Sequence, residues 1–341
     1  MRTRFLAGVI LLTVALSVPR FGHLTPDSLW YVNLVRYFRG EARADQLRRP
    51  NAYRVMVPFI VSLWSGVQPA LGIAVLNVAA TVGTYLLFVR YLARLGLTAG
   101  QVGVGALLLV VSFPTVNYAS GVLSDPSGFL FFVLSLLLLL RDRDVLAGGA
   151  ISAGVLARES LILVVPIACI DLIARHARQP RSERAWARLA SRLALVSGPP
   201  SLMYLVLTQC FFQDVEQWMR WSPSVHALWR AVTRSSGGWV TLPATLLPPV
   251  LLIFWGLRRG GGRRVAHLPE RSRVLLVSVA VVNVVYIIYS WMIPPAYLSG
   301  RFVWPLYTVL VPLAVVSIQS TWASARLERL AEKAFGRLAD D

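Results

Sequence analysis

Charged residues at the edges of long apolar runs are the positions in this sequence where chemistry is expected. They are Asp27, Arg54, Asp125, the neighbours Arg158 and Glu159, and Arg301. A carboxylate can accept a proton from a reacting hydroxyl group, and a guanidinium can hold a phosphate through two parallel hydrogen bonds. A charge beside an apolar helix is costly unless it is paired or faces a wet cavity. Whether these side chains can meet depends on the elements that carry them.

Apolar helices of a membrane protein are the elements predicted to carry them. Of 341 residues, 56% are hydrophobic and only 15% are charged, whereas about a quarter of a soluble globular chain is charged. The apolar runs do not alternate as the strands of a β-barrel do, so the fold class is an all-α polytopic integral membrane protein. About ten transmembrane helices are predicted, at residues 5–19, 70–89, 101–118, 126–140, 145–157, 160–174, 190–211, 240–257, 274–291 and 302–319.

The N-terminal region contains two further apolar segments. Residues 1–18 have the charged start and apolar run of a signal peptide, but no small-residue cleavage site follows, so an uncleaved first span is expected. Residues 55–64 are too short to span, and we expect an interfacial helix or a re-entrant piece within a first outer loop of about residues 20–69. The predicted domains are a transmembrane unit, 1–319, and a cytoplasmic C-terminal tail, 320–341.

The distribution of basic residues predicts the orientation. Cytoplasmic loops keep an excess of Lys and Arg, and most of the 34 Lys and Arg residues lie in the termini and the even-numbered connections, chiefly 175–192 and 258–273. Residues 20–54 alone argue for the opposite orientation, and the later loops outvote them. We expect a multi-pass protein of the cell inner (plasma) membrane with both termini cytoplasmic. The net charge of +18 then reflects attraction to membrane lipid, and no nucleic acid partner is needed.

This orientation places all the charged positions on the extracytoplasmic face. A shared site requires that placement. Charge at helix ends is also common in membrane proteins, however, and every odd-numbered loop must face the same way. Topology alone therefore leaves a shared site and unrelated helix-end charges equally open.

Short motifs surround the charges and bear on that choice. They are Thr25-Pro-Asp-Ser-Leu-Trp-Tyr, Asn51-Ala-Tyr-Arg-Val-Met-Val-Pro, Leu123-Ser-Asp-Pro, Gly154-Val-Leu-Ala-Arg-Glu-Ser and Gly300-Arg-Phe-Val-Trp-Pro. In this order and spacing the chain resembles the GT-C superfamily of polytopic membrane glycosyltransferases, in a compact bacterial form. Members take a sugar from a polyprenyl-phosphate carrier at the outer face of the membrane. The resemblance covers most of residues 1–319 as architecture.

The resemblance implies roles for the charged residues. Asp27 matches the acidic residue of the first outer loop, which acts as general base on the acceptor hydroxyl in an inverting transfer. Arg301, Arg54 and Arg158 are the implied donor-phosphate ligands, with Arg301 favoured by its position. The implied partners are a polyprenyl-phosphate-linked sugar donor, a lipid or glycan acceptor and membrane lipid. Asp27 and Arg301 should then lie within about 20 Å of each other, because one phospho-sugar group must reach both.

Simpler interpretations of the same residues remain open. Asp27 precedes a predicted interfacial helix and could be its N-cap. Asp125 and Glu159 are possible site carboxylates, and with Asp27 they could gather oxygens around Mg or Mn, although their spacing fixes no ligand set. Arg158 and Glu159 could instead be a structural ion pair with each other, which is slightly favoured. The outer-face aromatic residues, Tyr31 among them, are expected mainly as interfacial anchors.

Two other classes of function compete with the enzyme. The first loop is short and no large periplasmic domain follows the last span, so acceptor recognition would have to come from loops such as 212–239. A lipid or solute transporter or flippase would also present charges, although no internal repeat is evident and the charges lie at one face instead of the midplane. A non-catalytic subunit of an envelope-assembly complex would tolerate the loss of Asp27.

Overall fold

The computed structural model describes residues 2–178, 182–212, 215, 223–261, 265–266, 268–293 and 298–318. Within these ranges the chain is helical, with no strand. Five helices are long and apolar enough to cross a membrane: Pro69–Arg94, Glu183–Cys210, Gly237–Arg259, Glu270–Met292 and Gly300–Ile318. The prediction of an all-helical fold is confirmed for the described residues, and the five apolar helices are consistent with a membrane protein.

Fourteen α-helices are named below, counting only those in the described ranges. They are α1 (Arg2–Ser17), α2 (Ser28–Phe38), α3 (Met56–Ser62), α4 (Pro69–Arg94), α5 (Ala99–Val110), α6 (Phe113–Tyr118), α7 (Asp125–Leu140), α8 (Asp144–Ala157), α9 (Val164–His176), α10 (Glu183–Cys210), α11 (Val225–Arg234), α12 (Ser236–Gly256), α13 (Glu270–Met292) and α14 (Tyr307–Ile318). Short 3-10 segments join several of them.

The predicted span 101–118 is wrong as a single helix. The chain breaks between α5 and α6, because Pro114 at the start of α6 has no N–H with which to continue the helix of α5. The side chain of Thr115 repairs part of the break, since its hydroxyl donates to the carbonyl oxygen of Leu109 over 2.8 Å. Residues 101–118 therefore form two helices, α5 and α6, instead of one.

Two other predicted spans begin as 3-10 segments. Residues Glu159–Leu163 form such a segment before α9, and residues Gly300–Leu306 form another before α14. Pro305 lies inside the second segment and lacks the N–H that a regular α-helix needs. Glu159 and Arg301 lie in the first turn of these two segments, and Arg158 directly precedes the first one. All three charges therefore stand at helix ends.

Helices between α1 and α4 pack on the longer apolar helices. α2 buries Tyr31, Leu34 and Val35, and α3 contacts both α2 and α4. Arg39 fixes the end of α3, because its guanidinium donates to the carbonyl oxygens of Val61, Trp64 and Val67. Carbonyl oxygens at and beyond a helix C-terminus favour a cation. The residue that precedes α2, Asp27, is thereby held against the main body.

Ion pairs tie helix ends together at the opposite end of α7. Asp142 accepts hydrogen bonds from Arg175, Arg192 and Arg271, which belong to α9, α10 and α13. Burial alone would raise the pKa of Asp142, but the hydrogen bonds from Arg192 and Arg271 outweigh it and lower that pKa. The carboxylate is therefore ionised near neutral pH and joins three helices to the loop after α7.

Candidate functional site

All the charged residues singled out in the sequence come together in one cluster. Asp27 precedes α2, Arg54 follows a 3-10 turn, and Asp125 begins α7. Arg158 and Glu159 lie between α8 and α9, and Arg301 lies at the start of the 3-10 segment before α14. Three ion pairs join them across these segments: Asp27 with Arg301, Asp125 with Arg158, and Glu159 with Arg54. The cluster therefore contains three carboxylates and three guanidiniums.

Asp27 and Arg301 form the pair closest to the proposed chemistry. Nη2 of Arg301 donates to Oδ2 of Asp27 over 2.5 Å, and the two side chains are only 10% and 14% exposed. The distance is well inside the expected limit of about 20 Å. The guanidinium of Arg301 also lies 5.4 Å from the centre of the Phe302 ring, a contact in the range of a cation–π interaction.

The capping interpretation of Asp27 is not what the structure shows. Asp27 occupies the N-cap position of α2, but its side chain makes no capping hydrogen bond. Ser28 organises this turn instead, because its hydroxyl oxygen accepts from the backbone N–H of Thr25 and its hydroxyl donates to the carbonyl of Val122. The carboxylate of Asp27 is therefore committed to Arg301 and not to its own helix.

Glu159 and Arg54 form a bidentate pair. Both distances, from Nε to Oε2 and from Nη2 to Oε1, are 2.7 Å. Burial would raise the pKa of Glu159, but the positive charge and hydrogen bonds of Arg54 outweigh it and hold that pKa below its usual range. Burial likewise opposes the charge on Arg54, and Glu159 reverses this effect and raises the pKa of Arg54. Both groups are therefore ionised at neutral pH.

Arg158 and Glu159 do not pair with each other, contrary to the slightly favoured expectation. Arg158 contacts the carboxylate of Asp125 instead. Its backbone is extended, with φ −159° and ψ 117°, and successive side chains of an extended backbone point in opposite directions. Arg158 therefore reaches α7, while Glu159 reaches Arg54, which precedes α3.

Tyr31 links the ion pairs, although the sequence predicted mainly an interfacial anchor at this position. Its side chain is buried at 1% exposure. The phenolic oxygen contacts Nη1 of Arg54 and lies 3.2 Å from the hydroxyl of Ser124, the residue before Asp125. The available signal was its place one helical turn after Asp27, on the same buried stripe as Ser28, Leu34 and Val35.

A cavity of about 30 Å³ adjoins the ion pairs, which is room for about one or two water molecules. Asp125, Arg158 and Arg301 line it. The rest of the wall includes aromatic and neutral polar residues that sequence reasoning did not single out, namely Phe129, Phe132, Ser160, Asn283, Tyr286, Phe302 and Trp304. Asp27 does not line the cavity but pairs with Arg301, which does; Arg54 and Glu159 pair with each other outside the lining.

Metal binding by the three carboxylates finds no support in their arrangement. Across the described ranges, no group of three or more His, Cys, Asp or Glu residues is placed to hold a metal ion. Each of Asp27, Asp125 and Glu159 contacts a guanidinium instead. Guanidinium groups beside a cavity suit a phosphate, which they can hold through charge-assisted hydrogen bonds.

No protein-family model matches the chain, and no curated protein matches it significantly.

Proposed function

We propose that this protein is a membrane glycosyltransferase that moves a sugar from a polyprenyl-phosphate carrier to an envelope acceptor. The proposal includes the GT-C-like architecture of about ten membrane crossings, with both termini cytoplasmic and the cluster at the extracytoplasmic face of the inner membrane. One observation carries it: Asp27 and Arg301, a potential proton acceptor and a potential phosphate ligand, meet at 2.5 Å beside a cavity.

The proposed reaction is a single inverting displacement. The acceptor oxygen forms a bond to the anomeric carbon of the donor sugar while its proton passes to the carboxylate of Asp27. The bond between the anomeric carbon and the phosphate oxygen breaks, and the electron pair leaves with the polyprenyl phosphate. The leaving group is stable as an anion, so it needs positive charge and no general acid.

Arg301 and Arg158 are the residues best placed to supply that positive charge. Both line the cavity, and both guanidiniums lie within 6 Å of the Phe302 ring. Arg54 stands one step further from the cavity, where it holds Glu159 and Tyr31. We therefore assign Arg301 and Arg158 to the donor phosphate, and we assign Arg54 a supporting role.

The pairing of Asp27 with Arg301 gives this mechanism an order. A phosphate that binds Arg301 competes with the carboxylate of Asp27 for the same donor groups. Release of Asp27 then provides a proton acceptor next to the reacting carbon. On this proposal, the donor binds first and the acceptor is activated only afterwards.

Transfer from a panel of polyprenyl-phosphate sugars, with purified protein in lipid, tests the proposal. Formation of a glycosylated acceptor and free polyprenyl phosphate is the expected result. A transporter would instead move labelled carrier or solute across a vesicle membrane without chemical change. A non-catalytic subunit would do neither.

A further inference from the structure

Asn283 is a lone amide on the protein-facing side of a long apolar helix. Its neighbours on this stripe of α13 are Val279 and Ile287, which are buried with it. The other side of the helix exposes Val277, Val281 and Val285, as a lipid-facing surface does. A polar side chain inside an apolar membrane helix is costly and marks a functional position. If this position served only helix packing, leucine would fill it without the cost of burying an amide.

The amide of Asn283 reaches the cavity that Arg158 and Arg301 line. Its Nδ2 donates to the carbonyl oxygen of Val279, one turn earlier in the same helix, over 2.8 Å. An asparagine amide has two donor hydrogens and two acceptor positions, and the bond to Val279 uses one of the donors. That bond holds the amide in place at the cavity wall.

Trp304 supplies a second and independent observation on the same wall. Its side chain is buried, and its indole N–H has no hydrogen-bond partner among the described residues. Buried donors in folded proteins are nearly always paired, so an unpaired one requires an explanation. The ring itself is fixed, since its centre lies 5.0 Å from that of Phe129. Trp304 also lines the cavity, so a hydroxyl group bound there is a candidate for the missing acceptor.

We propose that Asn283 and Trp304 recognise the donor sugar, with Asn283 as the specificity-determining residue. A neutral amide and an indole N–H suit hydroxyl groups, and aromatic rings suit the apolar faces of a sugar ring. The inference rests on the proposed function, because the sugar is bonded directly to the phosphate that Arg158 and Arg301 would hold. The sugar must then occupy the same cavity.

Replacement of Asn283 by leucine separates recognition from folding. Asn283→Leu keeps a similar size and suits an apolar helix, but it removes the groups that read a hydroxyl. We expect affinity for the preferred glycosyl polyprenyl phosphate to fall about threefold to tenfold, the effect of one neutral hydrogen bond. Affinity for unglycosylated polyprenyl phosphate should not change. Trp304→Phe keeps a ring, removes the N–H and should act in the same direction.

Direct binding measurements on the full chain test this inference. The probes are a short-chain polyprenyl phosphate and its glucosyl, galactosyl, mannosyl and arabinosyl derivatives. Val281→Leu, on the lipid-facing side of the same helix, is the matched control and should bind all probes as the unmodified protein does. The expected result is a loss that is confined to glycosylated probes in Asn283→Leu and Trp304→Phe.

Two outcomes would overturn the inference. One is an unmodified protein that prefers no glycosylated probe to the bare carrier. The other is that both variants bind the glycosylated probes as tightly as the unmodified protein does, or lose affinity equally for glycosylated and bare probes. A transfer assay on the same preparations distinguishes this failure from that of the proposed function: sugar-dependent binding without transfer refutes the enzyme and leaves the sugar site standing.

Discussion

The carboxylate of Asp27 lies 2.5 Å from Nη2 of Arg301, although 274 residues separate the two in the chain. This contact joins the residue before α2 to the segment before the last described helix. It also means that the proposed proton acceptor and the proposed phosphate ligand neutralise each other. The proposed reaction therefore requires an exchange of partners, which makes the behaviour of this pair measurable.

Substitution of Arg301 by lysine should weaken use of the donor more than use of the acceptor. Lysine keeps the positive charge and can still pair with Asp27, but a point charge cannot reproduce a bidentate grip on phosphate. We expect KM for the donor to rise about tenfold or more, which corresponds to a loss of about 1.4 kcal/mol or more of binding free energy. Steady-state kinetics with each substrate varied in turn measure the effect. An increase confined to the acceptor KM would contradict the assignment of Arg301.

The buried pair of Arg54 and Glu159 should show strong energetic coupling. Arg54→Met or Glu159→Leu alone leaves one buried charge without its partner, which typically costs about 3–5 kcal/mol. The double variant should cost less than the sum of the two. Reversible unfolding in mixed micelles measures all three. Arg43→Gln, in an exposed pair with Asp45, is the control and should cost about 0–1 kcal/mol; additive effects at Arg54 and Glu159 would refute the coupling.

The same pair should make stability depend on pH in the acid range. Because Arg54 holds the pKa of Glu159 below its usual value, the unfolded chain binds more protons than the folded one as the pH falls. The contribution of this pair to the free energy of unfolding is therefore present above about pH 4.3, the ordinary pKa of Glu, and is lost progressively as the pH falls below that value. Melting temperatures from pH 7 to pH 3 should fall less in the variant carrying both Arg54→Met and Glu159→Leu. Equal slopes in the two proteins would show that the pair does not control this dependence.

The orientation predicted from the basic residues can be tested by cysteine labelling. Arg184→Cys should react only after permeabilisation, and His226→Cys should react with an impermeant reagent from outside; both positions are exposed. Cys169 and Cys210 are free thiols and must first be replaced by alanine. Labelling of position 184 from outside would invert the topology and place the cluster at the cytoplasmic face.

Local pattern in the sequence was sufficient for the helices but not for their irregular ends. The predicted spans 126–140 and 145–157 agree within a residue with α7 and α8, because long apolar runs leave few alternatives in lipid. The break before α6 and the 3-10 start before α14 were missed. Each depends on where a proline stands relative to its neighbours in space, as well as on hydrophobicity.

In the site, too, the types of the residues were informative in the sequence, but their partners were not. Charge beside an apolar run was enough to single out Asp27, Arg54, Asp125 and Arg301, but it left open whether they share a site. The pairing was not predictable, because it depends on how distant segments fold together: Arg158 binds Asp125 instead of its neighbour Glu159. Tyr31 and Asn283 were missed, since a tyrosine near an interface and an asparagine in an apolar helix carry no charge that would have drawn attention to them.

The most direct test of the proposed mechanism is transfer by Asp27→Asn, measured with the donor that the unmodified protein uses. The amide keeps the size of the carboxylate and can still accept a hydrogen bond from Arg301, but it cannot take the proton of the acceptor. We predict that helix content and expression stay near normal while the transfer rate falls about 10²- to 10⁴-fold, the usual contribution of a general base. Transfer by Asp27→Asn at the unmodified rate would contradict the account and remove Asp27 from the mechanism.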